Sequence, residues 1–218
     1  MGVSYNTSIV RKGLVLHLDA ANFKSYPGTG TEWLDLSGNS NDGTLVNGVG
    51  FDSDNKGSMT FDGVDEFVST EVGINSFFVE NGVTLTKWVK FSENNKDMLS
   101  GSLGSSRLYV GRHGNSGTFQ AGAGSTFSRD AKQLISNVWY NLTVVFADGS
   151  ADAFVNTDLI HTFSTSFSAT PATFFVGDLG EESHNYDGNI SNVKIYNRAL
   201  SITEVQQNFE ALRGRYGI

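Results

Sequence analysis

Apolar and polar residues alternate along most of the chain. Leu14, Leu16 and Leu18 interleave with Val15, His17 and Asp19, a period of two that predicts a strand with one buried face. Thr44–Val46, Met59–Phe61 and Phe67–Val68 are shorter apolar runs bounded by Gly, Asn and Asp. Val83–Phe91 alternates as well, but it sets Lys87 among Val83, Leu85, Val89 and Phe91, so a bulge or a rim position is expected there. Met98–Leu103, Arg107–Val110 and Thr118–Ala121 read as a meander. Tyr140, Leu142, Val144 and Phe146 form the clearest apolar face, opposite Trp139, Asn141, Thr143 and Val145. Ala153–Asn156, Leu159–Phe163, Thr173–Val176 and Ile190–Tyr196 complete the strands. Turn residues separate them, as at Asp148-Gly149-Ser150. Short strands at this spacing predict an all-β sandwich or barrel.

One segment has a different period. Ser201-Ile202-Thr203-Glu204 is a capping box, and Ile202, Val205, Phe209 and Leu212 recur at helical spacing behind it. A short helix over about 201–213 is expected, laid on a sheet and stopped by Gly214. Residues 1–12 precede the first strand as an N-terminal arm, and 13–218 read as a single domain.

Composition narrows the function. Glycine is frequent, at 25, and proline rare, at 2, which suits many turns between short strands. The formal net charge is −8 and no basic run occurs, which argues against a nucleic-acid partner. Cysteine is absent, so neither disulfides nor thiolate chemistry is available. The first twenty residues carry no apolar region of signal-peptide length, and no stretch is long enough for membrane insertion.

The common catalytic patterns are missing. His17, His113, His161 and His184 are scattered, with no paired-histidine zinc spacing. There is no nucleophile elbow, P-loop or dinucleotide fingerprint. Two carboxylates spaced along one strand, as a sandwich glycosidase needs, do not occur; Glu181 and Glu182 are adjacent and would face opposite ways. A non-enzymatic protein is expected. Asp52–Gly57 opens like a calcium loop but places Lys56 at a ligand position, and reads as a polar hairpin turn. Two stretches repeat an aromatic-Asp-Gly pattern before a strand: Phe61-Asp62-Gly63 and Tyr186-Asp187-Gly188. Asp-Gly is good turn chemistry by itself, and two such turns could also meet as an acidic site.

GLVLHLDA (13–20), WLDLSGNSNDGTL (33–45), FDGVDEFV (61–68) and YDGNISNVKIYNRALSITEV (186–205) together resemble the laminin G-like, concanavalin A-like lectin-glucanase domains, including those of tailed-bacteriophage virion proteins. The ending FEALRGRYGI (209–218) is similar to tails of phage-borne copies. The resemblance implies a two-sheet antiparallel jelly-roll sandwich with about six or seven strands per sheet. It implies a calcium ion at a loop rim, for which Asp62, Asp65, Asp187 and Asn189 are the candidate ligands and Asp97 an alternative. It implies a virion structural protein, a capsid decoration or tail or fibre accessory made in the host cytoplasm. Its partners would be major capsid or tail proteins and its own copies, as a homo-oligomer with a trimer favoured. The alternative is a carbohydrate-binding module for host surface glycans, for which Trp33, Trp88, Trp139 and Tyr109 are candidates by residue type. Lys87 and Lys194 are expected to guard exposed strand edges, and Arg213 and Arg215 either to complement the helix dipole or to meet an acidic partner.

Overall fold

The computed structural model describes residues 8–73, 82–93, 98–102, 107–114, 116–124, 126–166, 173–178 and 185–218. Asp97, Glu181, Glu182, His184 and residues 1–7 of the expected arm lie outside the described residues.

Ten residues late in the chain organise the first sheet. β16 (Asp187–Tyr196) pairs along one side with β7 (Val83–Phe91). Its other side pairs with β5 (Ser58–Asp62) in its first half and with β1 (Leu14–Asp19) in its second. Beyond β7 follow β12 (Trp139–Ala147), β13 (Ser150–Val155) and β14 (Asp158–Ser164); beyond β5 follows β4 (Gly50–Asp52). A second layer holds the ribbon β11 (Thr126–Gln133), β10 (Thr118–Gly124), β9 (Arg107–His113), β8 (Met98–Ser102). It also holds the ribbon β15 (Thr173–Val176), β6 (Phe67–Gly73), β3 (Gly43–Val46), β2 (Glu32–Trp33). The Gly101 amide donates to the Asp178 carbonyl at 3.0 Å, linking the two ribbons beside β8 and β15. All pairings are antiparallel. The architecture is the expected two-layer jelly-roll sandwich, with eight strands in the first sheet.

The core lies between the layers, where Leu16, Leu85, Leu142 and Val144 meet Val110 and Phe119. Alternation along each strand produces this, since residues of one parity face inward. The same parity carries Lys87 inward. It lies on a central strand and is fully buried, so it guards no edge, and burial drives its ammonium well below its ordinary value. Lys194 corrects the expectation in the same way: it sits on central β16, buried, and donates to Asn192 Oδ1.

The outer face of the first sheet is polar yet buried. His17, Lys194, Thr86 and Thr143 align across β1, β16, β7 and β12; Asp19, Asn192, Trp88 and Asn141 form the next row. The C-terminal segment roofs this face. Helix α1 (Ile202–Glu210) begins at the expected capping box, with Ser201 Oγ accepting from the Glu204 amide and Glu204 accepting from the Ser201 amide. Gly214 does not stop the helix; Ala211 caps it with helical dihedrals, and Gly214 lies inside a following 3-10 turn over Arg213–Arg215. Arg215 is no dipole charge either. Its guanidinium makes a two-pronged pair with Asp19 at 2.7 and 3.1 Å. Tyr216 then stacks on Trp88 at 4.1 Å between centroids and packs on Trp139 at 4.8 Å. Of the expected arm, residues 8–12 dock on this same roof. The Val10 amide donates to Asn208 Oδ1, and its carbonyl accepts from the Tyr196 hydroxyl.

Candidate binding site

With the outer face of the first sheet roofed, the outer face of the β9–β10–β11 ribbon is a candidate surface to meet a ligand. Tyr109, Gly122 and Phe127 stand opposite one another across the three strands, and Gly111, Gln120 and Arg129 form the adjacent row. Their neighbours in sequence, Leu108, Val110, Phe119, Ala121 and Ala123, belong to the core, so this row faces away from it. Tyr109 lies flat across Gly122: a Cβ there would come within 2.4 Å of the ring. Only a glycine fits beneath the ring.

Polar groups converge on this floor. Gln120 Nε2 donates to the Tyr109 hydroxyl at 3.0 Å, and Arg129 Nε donates to Gln120 Oε1 at 2.7 Å. The direction of the relay follows from chemistry, because a guanidinium only donates and so the amide oxygen must face it. Tyr109 is 3% and Gln120 4% exposed, whereas Phe127 is 46% exposed, and the Arg129 guanidinium lies 5.4 Å from its ring centroid. Beside this row, His113 Nδ1 lies 3.0 Å from Ser116 Oγ, which lies 2.6 Å from Thr118 Oγ1. The exposed part of this face is Phe127, Arg129 and the His113, Ser116 and Thr118 cluster, with Tyr109 and Gln120 buried beneath as support. That combination suits a flat, hydroxyl-rich ligand, whose apolar ring face stacks while its hydroxyls bond at the edge.

Strand pairing brings the two aromatic-Asp-Gly turns together, since Asp62 is the register partner of Asp187. Gly188 has a positive φ of 138°, and a Cβ there would lie 2.2 Å from the Lys90 carbonyl, so the second turn needs glycine for close approach. Beyond that pairing, the candidate calcium ligands have other partners. Asp62 Oδ1 accepts from the Val64 amide at 2.8 Å, an Asx turn, and its own amide donates to Glu66. Asn189 turns away, donating to Ser58 Oγ at 3.0 Å and Asp52 Oδ2 at 3.3 Å. Asp187 is electrostatically coupled to the Arg112 guanidinium, a fixed cation that weakens attraction for a second one. Asp65 lies near Glu66, whose carboxyl is held above its ordinary value by burial and by the charges of Asp62 and Asp65. Among the described residues no three His, Cys, Asp or Glu side chains gather as a metal centre. The set does not fit one calcium ion.

Nor do the tryptophans offer a platform. Trp33 and Trp88 are fully buried and Trp139 is 7% exposed. The Asp35 carboxylate of the WLDLSGNSNDG stretch accepts from the amides of His17, Ser37 and Asn41, pinning that loop to β1. Asp52–Gly57 is the hairpin turn between β4 and β5, as expected. The two large exposed side chains of this candidate face, Phe127 and Arg129, lie on β11, a strand the alternation did not reveal. A cavity of about 340 Å³ lies beside β1, lined by Asn39, Asn41, Glu71 and Asn197 among others.

Residues 62–206 match the family model described as the concanavalin A-like lectin/glucanases superfamily. No curated protein matches the chain in sequence. Among solved structures, Trypanosoma rangeli sialidase superposes with a TM-score of 0.70 at 17% identity, covering 93% of this chain and 33% of that one. The binding domain of Paraclostridial Mosquitocidal Protein 1 does so with a TM-score of 0.68 at 16% identity, covering 91% and 52%. The botulinum neurotoxin serotype D binding domain does so with 0.69 at 14%, covering 92% and 52%. The chain therefore spans a third to a half of the length of these proteins, and at such identities the likeness is one of fold. Among the described residues no helix is long and apolar enough to cross a membrane.

Proposed function

The chain belongs to the concanavalin A-like lectin/glucanase superfamily, and from that premise we propose that it is a non-catalytic binding module for surface glycans. The observation that carries this reading is the outer face of β9–β11: a half-exposed Phe127 beside the Tyr109–Gln120–Arg129 relay. A saccharide ring stacks on Phe127, which the buried relay backs, and its hydroxyls bond to the His113, Ser116 and Thr118 cluster. The reading gives calcium no role. The test is a glycan array on the purified protein, followed by calorimetry on any hit. Phe127→Ala is expected to weaken binding about tenfold, the scale of one aromatic stacking contact. An array with no hit, or a hit indifferent to Phe127→Ala, sinks the reading.

A second reading is a tailed-bacteriophage virion structural protein, a homo-oligomeric decoration or tail accessory that adheres to capsid or tail proteins. The resemblance of the last ten residues motivates it. Residues 8–12 and the C-terminal roof pack on a single face, with Gln207 Nε2 donating to the Ser8 carbonyl at 2.8 Å. A module anchored through that face would present the β9–β11 ribbon outward. Co-sedimentation with empty capsids at fixed stoichiometry supports this reading, and a free protein in the supernatant removes it.

A further inference from the structure

We propose that Arg129 makes this face selective for acidic saccharides, those carrying a carboxylate or a sulfate. The inference rests on the glycan reading and names the ligand class for the same site.

The argument starts from what holds the guanidinium. Nε is spent on Gln120 Oε1 at 2.7 Å, and Gln120 is itself held by the Tyr109 hydroxyl at 3.0 Å. Both supporting side chains are buried, and Tyr109 cannot drop because Gly122 lies directly beneath its ring. On its other side the guanidinium rests against Phe127. The terminal nitrogens have no partner among the described residues, while Arg129 itself is exposed. Asp130 does not compete. Its carboxylate lies 4.0 Å from His161 Nδ1, on the other side of β11, as strand alternation requires.

An arginine anchored through Nε presents its terminal nitrogens to an incoming group. That arrangement matches a carboxylate or sulfate by two parallel N–H···O bonds. A mobile surface arginine would lose the gain to side-chain entropy, and the relay removes much of that cost before the ligand arrives. The chain's net charge of −8 opposes an anion at long range, but this is screened beyond roughly 8 Å at physiological salt. A contact ion pair is therefore governed by Arg129 rather than by the whole chain.

The test measures binding to matched pairs: uronic-acid oligosaccharides against their carboxyl-reduced forms, and sulfated against desulfated oligosaccharides. Wild type is expected to prefer the acidic member about tenfold, the factor one charge-assisted hydrogen bond supplies. Arg129→Gln should abolish that preference, whatever it does to the affinity for the neutral member, and Arg129→Lys should keep part of it. The uronate and sulfate arms tell which acid the fork takes. Equal binding of acidic and neutral members, or a preference that survives Arg129→Gln, overturns the inference and leaves glycan binding standing. Failure to bind either member of every pair overturns both.

Discussion

His17 and Lys194 are register partners on the outer face of the first sheet, and neither has room for its charge. Burial, with the Lys194 charge adding to it, lowers the His17 imidazole to about 3, against opposing pulls from Asp19 and Asp35. Arg11 pushes in the same direction as Lys194. Burial brings Lys194 itself down to about 7; Asp19 opposes this and Arg215 adds to it. The sign follows from linkage. Below its ordinary value of 6.5 the unfolded histidine takes a proton that the folded one refuses, so stability falls with pH from 6.5 toward 3. Between pH 6.5 and 5 the loss is on the order of 2 kcal/mol at about 1.4 kcal/mol per pH unit. Lys194 acts similarly between about 7 and 10.5, where stability rises with pH. Melting temperature measured from pH 7.5 to 5 should fall in the wild type and stay flatter in His17→Gln. Parallel curves for the two proteins would show that the imidazole takes its proton without opening this layer. The alternation of β1 placed His17 opposite Leu16 and Leu18, but no local signal could show that another element covers the polar side.

At the scale of elements, the C-terminal helix shows what a local signal can specify. The capping box closes at both hydrogen bonds, and Glu204 also takes a two-pronged bond from Arg198 at 2.8 and 2.5 Å. That pair holds the Glu204 carboxyl down to about 2. Ser201→Ala should cost about 1 kcal/mol, read as a lower urea midpoint with unchanged slope. A change in slope would mean that the helix frays from the sheet before the sandwich opens. The cap was legible because its partners are three residues apart. β11 was not. Its sequence, TFSRDAKQ, lies at a ribbon edge and buries little, so no apolar period marks it, and the two residues that build the binding face went unseen with it. Val83–Phe91 was legible as a strand, but not as a central one. Lys87 in that pattern argued for a rim, whereas desolvation costs were overridden by the packing of the strands on either side. Strand pairing makes Asp62 and Asp187 register partners; the surroundings of their side chains include Val64 and Arg112, which lie outside the aromatic-Asp-Gly pattern.

The whole molecule has two outer faces with different fates. One is closed by its own chain, where Tyr216 fills the space between Trp88 and Trp139 and Arg215 neutralises Asp19. The other presents Phe127 and Arg129 to solvent. This division predicts that stability and binding separate by face. Tyr216→Ala should remove about 3 kcal/mol of stability, since a buried aromatic leaves a cavity that the rigid sheet cannot fill. Water entering that cavity should shift the tryptophan emission of Trp88 and Trp139 to the red, with Trp33 silent inside the core. Glycan affinity, measured well below the lowered melting point, should be unchanged, because the ribbon beyond the core does not touch the roof. The contrary result would be informative in a definite way. A folded Tyr216→Ala protein with altered glycan affinity would place the sugar in the tryptophan cleft, with Tyr216 occupying the position of a ligand ring. The roof would then be a plug, and the face that carries Arg129 would be free for a protein partner.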